Sequence, residues 1–207
     1  MREDGTGGLR VAGVRTGALS LGFLAVTVAS GIALVPMYRP EAALESVEAI
    51  ASGIPWAWVA RGVHAFAALG FLLATGVHLA EVVVRGGTRG AGPTVPGGGQ
   101  GGPGAWWRSA MLLPLAVAGM LTGFLMRGDA EATAALQVAR GVMATIPGIG
   151  EGLGTLLLGP EASGLGTVAL HHAGTFTVLP WLLAIEHGRR AWPDARSWAT
   201  ALLAAVA

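Results

Sequence analysis

Five histidines are the residues of this chain whose type and spacing could do chemistry. His64 and His78 lie in one apolar segment, and His171, His172 and His187 lie in another. An imidazole inside a membrane needs a hydrogen-bond partner or a ligand, so such residues mark functional sites by default. A single one could simply bond a neighbouring helix, but the spacing argues for more. His64 and His78 are 14 residues apart. On a helix that is ~21 Å along the axis, with side chains within about 40° of each other. His172 and His187 are 15 apart, which gives ~22 Å and about 60°. His171 is turned about 160° from His187. His172 is therefore the better member of the pair and His171 a packing neighbour, although spacing alone leaves the choice open. Each level then offers one imidazole from each segment, His64 with His172 and His78 with His187. That is the arrangement for bis-histidine ligation of haem iron in a helix bundle. A zinc site would want three or four donors at one level. The sequence has no Cys, which excludes disulfides, thiolate metal sites and thioether-linked haem. The expected cofactors are two non-covalent haems of the b type.

Four apolar segments must position these rings. They cover residues 16–37, 58–84, 106–126 and 166–186, each near or above the ~20 residues that cross a bilayer as a helix. The second and fourth crossings run parallel, which sets the histidines level. The composition agrees: 53% of residues are hydrophobic and 12% charged, against roughly 25% charged in average globular domains. The expected fold is an all-α membrane protein, a four-transmembrane-helix bundle enclosing two haems, with amphipathic surface helices in the outer loops. One such helix falls within 38–57, ahead of a Gly-Ile-Pro turn. A second falls within 127–165, with a Pro-Gly-Ile-Gly turn. Residues 1–190 form the expected membrane domain. Within it, residues 86–105 are rich in Gly and Pro and read as a flexible linker. Residues 191–207 read as an interfacial tail. Arg2, Arg10 and Arg15 precede the first apolar run with no small-residue cleavage site after it, so that run reads as a retained helix.

Arginines gather at the N-terminus, at the ends of the 86–105 linker and after the fourth segment, while the opposite loops are acidic. The positive-inside rule then puts both termini and the linker in the cytoplasm. The expected location is a bacterial-type inner membrane, crossed several times. A net charge of +1 gives no reason to expect a nucleic-acid partner. Small residues repeat at the histidine interval: Gly17 and Gly31 in the first segment, Ser109 and Gly123 in the third. Small residues let helices approach closely, and by the same logic they make room for a flat cofactor. Glu81 and Glu186 lie near segment ends and read as interfacial charge beside Arg85 and Arg189.

Trp58-Val-Ala-Arg61-Gly-Val-His64, followed by His78, resembles the second helix of the cytochrome b family of quinol-oxidising bc-type complexes. Gly17, Gly31 and the Tyr38-Arg39-Pro40 exit are similar to that family's first helix. The Ile146-Pro147-Gly148-Ile149-Gly150 turn, Thr167 and Leu179-Pro180-Trp181 also match. The resemblance covers nearly the whole chain and is to the N-terminal four-helix half, as in the split, chloroplast-type form. It implies that His64 and His172 hold the outer-side haem, that His78 and His187 hold the cytoplasmic-side haem, and that Arg61 pairs with a haem propionate. The chain also departs from the family. Relative to Leu-Pro-Trp, the fourth-helix ligands lie about one turn early, with Thr175 and Arg190 in the family's places. Leu170 replaces an Arg, Ser109 replaces a Gly, and Phe124-Leu-Met-Arg127 stands where a Leu-Pro-Trp is expected.

The expected function is a di-haem b-type cytochrome subunit. It would carry electrons across the membrane between quinone or quinol and the partner redox subunits of a larger respiratory or photosynthetic complex. Such partners are a Rieske-type protein, a C-terminal cytochrome b half or a multihaem cytochrome. A homodimer follows by family analogy. The sequence lacks the family's Pro-Glu-x-x quinol-oxidation motif, so the chain is expected to work as part of an oxidoreductase and not as a complete enzyme. Two other readings share these features: a haem-bearing anchor for an extrinsic dehydrogenase or reductase, and a haem-free structural subunit that keeps the fold.

Overall fold

The structure, a computed structural model, describes residues 2–3, 9–11, 14–84, 103–160, 164–188 and 195–206. Three short strands come first: β1 (Arg2–Glu3), β2 (Leu9–Val11) and β3 (Val14–Arg15), antiparallel in the order β1-β2-β3. The rest is helical, and the class is all-α. The helices are α1 (Thr16–Leu34), α2 (Ala43–Glu48), α3 (Ala57–Val84), α4 (Pro103–Leu125), α5 (Ala130–Ala144), α6 (Gly150–Leu158), α7 (Gly166–Leu170), α8 (Phe176–Gly188) and α9 (Ala195–Val206). A 3-10 turn, Val35–Met37, extends α1. π-helical turns follow α2 (Ala49–Gly53) and join α7 to α8 (His171–Thr175).

Among the described residues, three helical stretches are long and apolar enough to cross a membrane: Thr16–Met37, Ala57–Val84 and Gly166–Glu186. In α4 the apolar stretch is shorter, Ala110–Leu125. That helix begins three residues ahead of the expected 106, inside the segment read as linker. Residues 86–102 of the linker lie outside the described residues. Many large apolar side chains face outward, among them Ile32 (66% exposed), Phe66 (64%) and Leu73 (59%). Such a surface suits lipid, where backbone groups satisfied within a helix cost nothing.

The chain divides into two compact units. The first holds residues 1–29, 63–117 and 179–207. Its core draws on four helices: Leu19 and Phe23 of α1, Ala67 and Phe71 of α3, Leu112 of α4 and Ala184 of α8. Small residues bring α1 and α3 together. The hydroxyls of Ser20 and Thr75 meet at 2.6 Å, both buried. A Cβ on Gly70 would lie 2.5 Å from the Phe23 ring, so only glycine fits there.

The second unit holds residues 30–62 and 118–178. Leu125, Leu158 and Val168 form its core, with Leu136 and Met143 packed against them. Asp129 caps α5 by accepting from the Ala132 N–H at 2.8 Å, satisfying one of the orphan donors of a helix start. Gly128 takes a left-handed φ of +67° and lies against Ala43 and Leu44. The sequence reading contained α5 but not α6, whose residues it read only as a turn and loop.

Candidate functional site

In the first unit, α1 and α3 run antiparallel and set two imidazoles against α1. Thr16, the first residue of α1, is buried. Its hydroxyl donates to Glu81 Oε2 at 2.7 Å. With that hydrogen committed, the Thr16 oxygen accepts from His78 Nδ1 at 3.3 Å. The His78 ring lies across Gly17, where a Cβ would stand 3.1 Å from it. Fourteen residues earlier on α3, His64 Nδ1 meets the backbone carbonyl of Thr27 at 2.9 Å. A carbonyl only accepts, so Nδ1 must carry the hydrogen. In a neutral ring the lone pair then sits on Nε2.

In the second unit, α4 plays towards His172 the part that α1 plays towards His78. His172 Nδ1 donates to the Gly119 carbonyl at 3.1 Å. Thr122 Oγ1 stands 3.1 Å from the same nitrogen and is itself within 2.8 Å of the Ala118 carbonyl. A Cβ on Gly123 would lie 3.0 Å from the His172 ring. His171 has the opposite polarity. Its Nε2 donates to the Leu156 carbonyl of α6 at 2.9 Å, and its Nδ1 accepts from Thr175 Oγ1 at 2.9 Å. His171 thereby ties α6 to the π turn.

That π turn was not read from the sequence. Its signal was there, in the 15-residue interval of His172 and His187 beside the 14 of His64 and His78. A π turn adds one residue to the helical ladder, and such bulges recur at functional sites. Thr177 Oγ1 donates to the His172 carbonyl at 3.0 Å within it.

The remaining expected residues are placed less fully. His187 and Ser109 lie on α8 and α4, with side chains outside the described residues. Arg61 is exposed on α3, three residues before His64, and Gly31 is half-buried on α1. Arg85 and Arg189 lie outside the described residues, and Glu81 accepts a hydrogen bond from Thr16. A cavity of about 370 Å³ opens in the second unit, lined by Glu41, Glu45, Leu125, Leu136, Arg140 and Leu165 among others. Arg140 donates to the Leu158 and Gly159 carbonyls there. Beside it, Tyr38 donates to the Met126 carbonyl at 3.0 Å. Burial, and then the nearby Glu41 charge, push its phenol up to about 12.

The family profile described as "Cytochrome b/b6/petB" matches residues 11–187. The chain belongs to the cytochrome b family. It corresponds to the N-terminal half of the bc-type proteins, and membership implies b-type haem. Cytochrome b6 of Synechococcus sp. (strain JA-3-3Ab) is 28% identical over 171 residues, 82% of this chain and 75% of that one. Cytochrome b6 of Prochlorococcus marinus (strain MIT 9303) is also 28% identical, over 82% of this chain and 74% of its own. A solved chain described as "Hyperthermophilic respiratory Complex III" shares the fold at a TM-score of 0.64 and 19% identity, over 85% of this chain. This chain spans about half of that one, 47% of its length. The donor set fits haem: imidazoles inside apolar helices, with the lone pair directed to Nε2, are the ligands that iron takes in a bundle.

Proposed function

We propose that this cytochrome b chain is a di-haem electron-transfer subunit, carrying electrons across the membrane between quinone or quinol and partner redox subunits. The observation that carries this reading is common to His64, His78 and His172. Each gives its Nδ1 hydrogen to an acceptor on a neighbouring helix, Thr27, Thr16 or Gly119. Ligating histidines are held in this way, with the second nitrogen bonded to a carbonyl or hydroxyl that fixes tautomer and ring orientation. Bound haem supplies a one-electron carrier at each level.

The pairing of His64 with His172 and of His78 with His187 rests on helix arithmetic. Fourteen residues return a side chain to within about 40° of its start, and 15 leave it about 60° past. The π turn absorbs one residue and makes the fourth-helix interval equivalent to that of α3, which supports the displaced pair. By the same reading Arg61 meets a propionate, and Gly17, Gly31, Ser109 and Gly123 give the cofactors room. Complex III is the assembly named for the structural relative, and partners of that kind, with both termini in the cytoplasm, belong to this reading. A quinone suits the cavity beneath Glu41 and Glu45, whose volume lies in the ~300–1,000 Å³ range of ligand pockets.

The test is a reduced-minus-oxidised spectrum of the purified chain with a haem assay. Two b-type haems per chain are expected. A protein that folds into its helices and shows no b-type band would rule the reading out and leave a haem-free structural subunit.

A further inference from the structure

We infer that Thr16 and Glu81 are positioning residues for His78, forming a carboxylate–hydroxyl–imidazole relay that fixes its tautomer and lowers the potential of the haem it holds. The inference rests on the reading above that His78 binds iron. It goes beyond that reading, because neither residue matches a feature used to recognise the family and neither would touch the cofactor through this relay.

The geometry fixes the direction of every hydrogen. A carboxylate oxygen accepts and does not donate. Thr16 Oγ1, 2.7 Å from Glu81 Oε2, must therefore spend its hydrogen on Glu81. The same oxygen lies 3.3 Å from His78 Nδ1 and can only receive from it. Unlike the carbonyls that serve His64 and His172, this acceptor is itself polarised by a carboxylate. Chains of hydrogen bonds strengthen one another in a low-dielectric interior. Thr16 is buried, 3% exposed, so water does not dilute the effect at the hydroxyl. A stronger acceptor at Nδ1 makes the ring more basic at Nε2. A more basic ligand stabilises the ferric state over the ferrous one, so the haem at His78 should be the harder to reduce on this account. Gly17 makes the relay possible, because a Cβ there would stand 3.1 Å from the ring that Thr16 must reach.

The experiment is a spectroscopic redox titration of the haem-loaded protein in detergent. Thr16→Val keeps the shape and removes the hydroxyl. Glu81→Gln keeps the shape and removes the charge. Both should raise one midpoint and leave the other haem as an internal reference. Outer partners of metal ligands are typically worth about tenfold or more in affinity, and a tenfold loss of preference for the ferric over the ferrous state is about 59 mV for one electron. Thr16→Ser, which keeps the hydroxyl, should titrate as wild type. Unchanged midpoints in Thr16→Val and Glu81→Gln would overturn the relay, as would Thr16→Ser shifting as far as Thr16→Val. Should Thr16→Val fail to retain haem, Glu81→Gln and Thr16→Ser decide by the same criteria. Wild type without a b-type band would overturn the haem reading and the relay together, whereas unchanged midpoints in a loaded protein overturn the relay alone.

Discussion

Replacing His172 with alanine should cost one haem, and His171→Ala should cost none, when haem per chain is assayed in the purified variants. The two neighbours differ in which nitrogen carries the hydrogen. His172 gives up its Nδ1 hydrogen to Gly119, whereas His171 spends Nε2 on Leu156. Spacing favoured His172 but had no view of tautomers, because the acceptors come from residues distant in the chain. A second prediction concerns Gly70. Its missing Cβ leaves 2.5 Å to the Phe23 ring, so Gly70→Ala should overpack the α1–α3 contact. Overpacking of this kind costs about 1–3 kcal/mol, readable as a lower unfolding temperature in detergent. Tyr38 offers a third. It is the one tyrosine of the chain, so phenolate absorbance reports it alone. Its neutral hydroxyl is the donor to Met126. A pKa raised to about 12 means that this bond contributes fully below the ordinary value and is lost as pH rises through about 12. Absorbance should therefore rise only near pH 12 in the folded protein, and near the ordinary value after unfolding. The half-burial of Tyr38 could not be read from its place at a segment end.

At the scale of elements, three of the four apolar segments were legible because length and hydropathy suffice to set them, whereas the apolar stretch of α4 is shorter than expected. The expected 16–37 became α1 with its 3-10 extension, and 58–84 became α3 almost residue for residue. The expected 166–186 became α7, a π turn and α8. Hydropathy does not distinguish an α turn from a π turn, so that insertion escaped notice. Thr177→Val should unsettle it, because the Thr177 hydroxyl is bonded to the His172 carbonyl. The expected outcome is a weakened or altered spectrum of the haem assigned to His172, with the other unchanged. The surface helix α5 was legible in part through Asp129, a strong N-cap. The Ala132 N–H, and with it the adjacent Arg127, hold the Asp129 carboxyl below the usual range. A depressed value means the cap contributes above the unfolded pKa and is lost as pH falls through the folded one. Measured against the intrinsic exchange rate at each pH, the protection of the first amides of α5 should therefore fall in acid, and Asp129→Ala should remove that pH dependence. The glycine-rich α6 has poor intrinsic propensity. Contacts with α5, including Gly150 set close against Met143, form it.

At the scale of the molecule, exposed apolar side chains along α1, α3 and α8 and buried cores within each unit describe a bundle made for lipid. The family match over residues 11–187 agrees with the resemblance carried by Trp58, Arg61, His64 and His78. The proposed orientation belongs to this scale, because it depends on where arginines fall across the whole chain. Protease added to sealed, right-side-out vesicles should spare both termini and the linker, and should reach the loops that carry Glu41 and Glu151. Cleavage of the termini in such vesicles would reverse the assignment.

The sequence by itself determined the membrane class, the family and the histidines worth testing. These follow from hydropathy, helical period and local motif, which are properties of neighbouring residues. Only the tertiary structure decided what His64, His78, His171 and His172 do with their hydrogens. It brought Thr27 to His64, Thr16 to His78, Gly119 to His172 and Leu156 to His171. It also gave Gly17 and Gly123 a use as the floor beneath His78 and His172. Those partners are 15 to 62 residues away in the chain. No periodicity joins them, because the contact depends on how two helices pack face to face. The pattern of histidines that first suggested chemistry thus came from the chain alone. The assignment of lone pairs, on which any iron ligation depends, came from the fold.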